Sequence, residues 1–317
     1  MGALHRCVAI AMMVMAGACG RVGFDPLGGD DGDDGGDDGG PCTSFDAWEP
    51  PVHLGDVVNS TADDTSPTLT ADELVLYFDS NRGGGAGSRD LWVATRTTRD
   101  EAFGAAVNLP SLNSTANDFT PALSPDGGEL YFASNAGAAN TLDLYVATRT
   151  DVVTFGPRTE IGPLAGDGID ESGADIADDN VTMYFARSDP PTADAEIVIA
   201  TRINTATDWV PGPLVAEINL ASNIDRNPAL SPDGLELYFE SDRGVGNRLY
   251  VARRTVADGP FMPPTEVVEL NTAGNSNRDA ALSADGRTLY FSSSRPGGRG
   301  NHDLWMARRG CALTTLR

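Results

Sequence analysis

Five polar side chains each stand three residues ahead of the Pro or Ala in a repeated extended segment: Asp64, Asp118, Glu171, Asp225 and Asn277. Brought together, such groups suit a cation, a basic peptide or a sugar. Two carboxyls at a separation of ~5–9.5 Å do acid and nucleophile or base work on a glycosidic bond. The competing reading is local, with each side chain accepting hydrogen bonds from its own turn or the next unit. Recurrence in every unit favours that bracing role, because catalysis usually breaks symmetry. A second series, Asp90, Asp143, Glu196 and Asp303, precedes another strand-like piece and becomes Arg248 in the fourth unit. It reads as turn capping.

Other chemistry is sparse. His53 and His302 have no metal-like partner at i+4 and read as structural or exposed. There is no G-x-S-x-G elbow, H-E-x-x-H, Walker loop or C-x-x-C. Gly83-Gly84-Gly85 sits between two strands rather than before a helix, so it is a loop and not a phosphate cradle. No catalytic residue, metal site or cofactor is assigned on these grounds.

The elements that must position these groups repeat. "ALSPDGGELYFASNAG" from Ala122 returns as "ALSPDGLELYFESDRG" from Ala229 and "ALSADGRTLYFSSSRPGG" from Ala281. The Tyr-Phe pair recurs at Tyr77, Tyr131, Tyr184, Tyr238 and Tyr290, in steps of 54, 53, 54 and 52 residues. Such a period signals a solenoid or propeller, and a unit made only of strands and turns favours the propeller. In the second unit the strands are Thr120 to Ser124, Glu129 to Ser134 and Asp143 to Arg149, with Gly127 supplying the positive φ of the first hairpin. A fourth strand follows an aromatic, as in Ala105 to Asn113 of the unit before. The first and third units lack the turn Gly, with Asp72-Glu73 and Ala177 to Asn180 in its place, so those turns are expected to form less favourably. "SPDGxxLYF" followed by "DLYVAxR" resembles the TolB-type, WD40-like propeller repeat of bacterial envelope proteins, over about Trp48 to Arg309. The resemblance implies a disc of four-stranded blades, in a family too diverse in function to deliver an activity.

The aromatic landmarks Trp48, Phe103, Phe155, Trp209 and Phe261 are out of phase with the Tyr-Phe pairs. The chain therefore opens with a fourth strand, Val52 to Val58, and closes with a third, Asp303 to Arg309. The N-terminal strand completes the last blade and removes an open edge. The expected fold is all-β, a five-bladed β-propeller of four-stranded blades over residues 44–311, with a tail at 312–317. Aligning the interlocked blade with a complete one places Cys42 and Cys311 in the same loop, where a disulfide would staple the chain ends.

Residues 1–18 read as an export signal with a short apolar stretch, Val8 to Met15. Ala16-Gly17-Ala18 before Cys19 is similar to a bacterial lipobox, though Ala16-x-Ala18 equally serves ordinary signal peptidase. Residues 19–43 are a Gly/Asp tether, whose Asp run lacks the Glu of a calcium loop and reads as a solvated spacer. A formal charge of -24 argues against nucleic acid or anionic lipid as a partner. Together these features predict an exported monomer held to the membrane only by its lipid. Its expected role is an envelope-anchored binding module for a protein, peptide or glycan, without catalytic activity. The alternative is a glycosidase-type hydrolase using channel-mouth carboxylates. Labelling with a fatty-acid analogue is expected to mark the wild type and not Cys19→Ser; equal labelling of both would end the lipoprotein reading.

Overall fold

The computed structural model describes residues 42, 44–137, 141–166, 168–188 and 194–312. The predicted export signal, Cys19 and most of the predicted tether lie outside them.

Twenty strands form five four-stranded antiparallel sheets. Blade one is β2 (Asp64–Leu69), β3 (Val75–Ser80), β4 (Asp90–Thr95) and β5 (Val107–Asn108). Blade two is β6 (Asp118–Leu123), β7 (Glu129–Ser134), β8 (Asp143–Thr148) and β9 (Thr159–Glu160). Blade three is β10 (Asp170–Ile176), β11 (Thr182–Ser188), β12 (Glu196–Thr201) and β13 (Val210–Leu214). Blade four is β14 (Asp225–Leu230), β15 (Glu236–Ser241), β16 (Arg248–Arg253) and β17 (Thr265–Glu266). Blade five joins β18 (Asn277–Leu282), β19 (Thr288–Ser293) and β20 (Asp303–Arg308) to β1 (Val52–His53) from the other end of the chain. The innermost strands pack in sequence, β2 on β6, β6 on β10, β10 on β14, β14 on β18, and β18 on β2. The fold is a five-bladed β-propeller.

Its core is divided into slabs between blades. Tyr77 and Val93 of blade one pack with Leu130 and Phe132 of blade two, and four further clusters span the other junctions. Four of the five blades carry the same clamp, while in blade two Arg149 instead lies over Tyr77 of blade one, 5.9 Å from the ring centre. The Arg that ends a third strand stacks on the aromatic that opens the fourth, with 4.4 Å between guanidinium and ring for Arg96 on Phe103, Arg202 on Trp209, Arg254 on Phe261 and Arg309 on Trp48. The same guanidiniums donate to the hairpin-turn carbonyls of Glu73, Asn180, Gly234 and Gly286. The Tyr of the preceding blade then meets the aromatic edge-on: Tyr77 with Phe155, Tyr131 with Trp209, Tyr184 with Phe261, Tyr238 with Trp48, at 5.9 to 6.4 Å between centres. At the fifth junction Arg96 donates to the Tyr290 hydroxyl, which donates to Glu73.

One expectation is corrected. The fourth strands are shorter than Val52 to Val58 and Ala105 to Asn113. After two residues of pairing, or five in blade three, the chain turns and in four blades an Asn side chain takes over the ladder. Asn113 Oδ1 accepts from Leu91 N–H and its Nδ2 donates to Leu91 C=O, as Asn59, Asn219 and Asn271 do to Leu304, Ile197 and Leu249. The turn freed in this way buries Leu109 and Leu112. The Gly-less hairpins place Glu73 at φ 58° and Asn180 at φ 57°, the left-handed conformation that Gly127 takes at 70°. Glu73 meets that cost while ion-paired to Arg96 at 3.6 Å and Arg99 at 3.4 Å.

Cys42 and Cys311 form the disulfide, with Cα atoms 5.3 Å apart across 269 residues of sequence. Beside it Arg309 stacks on Phe45, 3.7 Å from the ring centre. The bond closes the ring covalently where β1 meets β20. Closing so long a loop is worth at most ~5 kcal/mol on chain-entropy grounds. Non-reducing peptide maps are expected to show the Cys42–Cys311 link, and Cys311→Ala to melt several degrees lower. An unchanged melting temperature would show that non-covalent closure by β1 suffices.

Candidate functional site

The predicted ring lies behind the channel wall rather than in it. Asp64, Asp118, Glu171, Asp225 and Asn277 are all 0% exposed. Asp64 accepts from Ser60 N–H, Ser60 Oγ, Ser80 Oγ and Arg82. Asp118 accepts from Ser114 N–H, Ser114 Oγ, Ser134 Oγ and Arg158. Asp225 accepts from Leu220 N–H and, at 2.7 Å, from Arg243. Each joins the start of its first strand to the end of its second. Blade two reaches this with Arg158 because Ala136 stands where blade one has Arg82. In blade five the acid is Asn277, so Arg295 meets no carboxylate, and burial lowers its pKa to about 10. Burial, with Asp143 adding to it, pushes Glu171 up to about 8. The second series caps turns in part: Asp90 accepts from Ala86 and Gly87 N–H, and Asp303 from Arg299 and Gly300 N–H.

The residues that do face the axis are the next two in each first strand. Every first strand bulges there, and its bulged residue is left-handed: Ser66 at φ 54°, Thr120 at 48°, Gly173 at 57°, Asn227 at 50°, Asp279 at 53°. Holding four non-Gly residues in this region costs ~1–3 kcal/mol each, which the surrounding ring must sustain. Gly173 has no alternative, since a Cβ there would sit 2.3 Å from Asn227 Oδ1. The bulge turns side chains into a mouth cavity of about 400 Å³.

The cavity is two-faced. Blades two and three contribute Phe119, Thr120, Leu142 and Ser172, and blades four, five and one contribute Arg226, Asn227, Arg278, Asp279, Asp79 and Arg89. Asp79 follows the Tyr-Phe pair of blade one, where Ala133 and Ala186 stand in blades two and three and Glu240 in blade four. Asp79 accepts from Thr65 Oγ1 at 2.7 Å, Arg89 at 2.5 Å and Thr120 N–H at 3.0 Å. Glu240 accepts from Arg226 and Asn227, both at 3.0 Å. The same Asn227 amide donates to Asp279 at 2.5 Å, and Ser292 Oγ donates to Asp279 at 2.7 Å. One nitrogen thus bridges two carboxyls, which sets those oxygens within ~6 Å of each other. Burial first, then the charges of Glu240 and Asp79, push the Asp279 carboxyl up to about 6. His302 is buried 4.0 Å from Asp63, and His53 packs on Trp305; neither lines the cavity. Among the described residues no group of three His, Cys, Asp or Glu gathers as a metal site.

No family model and no curated protein matches the sequence. Solved structures do. The catalytic domain of a Coprinopsis cinerea family-62 α-L-arabinofuranosidase is 12% identical, covering 85% of this chain and 99% of its own at a TM-score of 0.56. The α-L-arabinofuranosidase of Podospora anserina, solved with cellotriose, is 12% identical, covering 85% and 98% at 0.54. TolB from Acinetobacter baumannii is 18% identical at a TM-score of 0.48; the match covers 75% of this chain and about half, 53%, of that one. At these identities the likeness fixes the fold.

The expectation of a module without catalytic activity is corrected. It rested on a repeated ring and on the lack of a contiguous motif. The ring is buried, with Asp64, Asp118, Asp225 and Asn277 bracing their blades, and the acids that reach the cavity break the symmetry. Glycoside hydrolases share this scaffold, and a propeller gathers side chains from separate blades, so no contiguous motif is required of it. If the buried acids are bracing, Asp118→Asn, which leaves Arg158 without its carboxylate, is expected to lower stability by about 3 kcal/mol. Denaturant melts would read this; an unchanged midpoint would assign Asp118 another role.

Proposed function

We propose that this chain is a glycosidase-type hydrolase whose site is the channel mouth of blades four, five and one. The observation that carries the reading is the convergence of Asp79, Glu240 and Asp279 from three blades, with one held near neutrality between the others. Asp279 is the general acid. Its raised pKa keeps a proton available in mildly acidic solution, where an ordinary carboxyl has lost it. Asp79, paired with Arg89, is the partner that serves as base or nucleophile. Glu240 touches Asp279 through Asn227 and is a positioning residue that keeps the acid protonated. Phe119 and Leu142 on the opposite wall offer an apolar surface to the face of a sugar ring. The names of the fold neighbours support the same reaction class.

The same reading keeps the domain outside the cytoplasm, anchored at Cys19. Support comes from the Cys42–Cys311 disulfide, which persists in oxidising compartments.

Release of sugar from a panel of aryl glycosides and plant and bacterial polysaccharides tests the proposal. kcat/KM is expected to fall as pH rises through about 6, because Asp279 then loses the proton it must donate. Asp279→Asn, which matches the neutral form, is expected to fold normally and lose at least ~100-fold in rate. A wild type inert across the panel, or an Asp279→Asn variant with full activity, would overturn the assignment.

A further inference from the structure

The charged wall of the cavity holds more positive hydrogen-bonding capacity than its own acids use. Arg89 is committed to Thr65, Asp79 and Asp63. Arg278 is not. Its Nε donates to Ser276 Oγ at 3.0 Å and lies 3.8 Å from Glu240, while its two Nη groups find no partner among the described residues. Arg226 spends one Nη on Glu240, and its Nε is buried without a partner. Two guanidiniums on adjacent first strands therefore flank a single carboxylate, Glu240, with donors to spare, and both line the cavity. Arg278 and Arg226 stand where the other blades carry Thr65, Phe119 and Ser172, so the repeat itself does not demand a cation there.

We infer that the substrate is an acidic glycan, in which a uronic acid unit lays its apolar face toward Phe119 and its carboxylate on the Nη groups of Arg278. This rests on the hydrolase reading of the same cavity and names the class of sugar it takes. A planar guanidinium with both Nη groups unspent matches a carboxylate through two parallel hydrogen bonds. A neutral sugar would leave those donors and the buried Arg226 Nε unanswered once water is displaced, which costs affinity. Asp63, Asp79 and Asp279 surround the same space, so a singly charged group at the Arg278 edge meets less repulsion than a dianion.

The test uses the Asp279→Asn chain, so that ligand survives. Isothermal titration at low salt compares trimers of galacturonic, glucuronic and mannuronic acid with the same trimers reduced to neutral sugars, and with a sulfated neutral trimer. At least one uronide is expected to bind tenfold or more tightly than its neutral counterpart. Arg278→Gln is expected to remove that difference, and Arg278→Lys to restore only part of it. Equal binding of acidic and neutral trimers, no binding by any, tighter binding of the sulfated trimer, or full selectivity in Arg278→Gln would each overturn the inference. Uronide-selective binding with no cleavage by the native chain would sink the hydrolase reading alone. Cleavage of neutral glycosides without uronide selectivity would sink this inference alone.

Discussion

The stacking of one arginine between two blades is the interaction on which the ring depends. Each sheet is too small to bury its own faces, so stability must come from the junctions. There, in blades three, four and five, the Arg at the end of a third strand does three things at once. It stacks on an aromatic of its own blade, ties down its own hairpin turn, and through that aromatic holds the Tyr of the neighbour. Arg309 reaches the Tyr238 hydroxyl directly, at 3.0 Å. A cation over an aromatic face contributes about 0.5–2 kcal/mol, and repetition around the ring multiplies it. The closing junction uses the same parts, with Trp48 supplied from the far end of the chain and the disulfide set beside it.

This rigidity is what lets the channel mouth hold strained backbone and like charges together. Four non-Gly residues at left-handed φ and two carboxyls sharing one Asn227 amide would relax in a looser fold. In blades one, two and four the buried acids behind the wall pin the first strand to the second. In front of them, the two positions after each acid are free of that duty. Blades two and three fill theirs with Phe119, Ser172 and small residues, and blades four and five with Arg226, Asn227, Arg278 and Asp279. Bracing and chemistry thus occupy neighbouring residues of the same strand, separated by which way the bulge turns them.

That separation explains how the sequence misleads about the site. The conspicuous series, from Asp64 to Asn277, is regular because every blade needs the same brace. Asp79 and Asp279 are inconspicuous because each occurs once. A signal was available: aligning the repeats shows charge at positions where sister blades carry Ala, Thr or Ser. Weighing departures from the repeat above the repeat itself would have found Asp79, Glu240, Arg278 and Asp279. Even so, the meeting of Asp79, Arg278 and Asp279 on one cavity, with Glu240 bonded to the lining Asn227, could not be read from spacing. The bulge that aims them has no residue signature, being Ser, Thr, Gly, Asn and Asp in turn. Nor do fourth strands of two residues announce themselves, since an Asn amide completes a ladder that periodicity assigns to the backbone.

The sequence by itself determined the all-β class, the number of blades, the out-of-phase closure and the pairing of Cys42 with Cys311. These are local or arithmetic properties: a hairpin turn, a Tyr-Phe pair and an aromatic repeat at fixed intervals, and counting them locates the ends. Only the tertiary structure decided that the repeated acids are buried, that the mouth has a charged wall and an apolar wall, and that the charges of Asp79 and Glu240 both act on Asp279. Those facts depend on side-chain direction at a bulge and on contacts between blades far apart in sequence. A pattern along one chain does not encode them until the ring is closed.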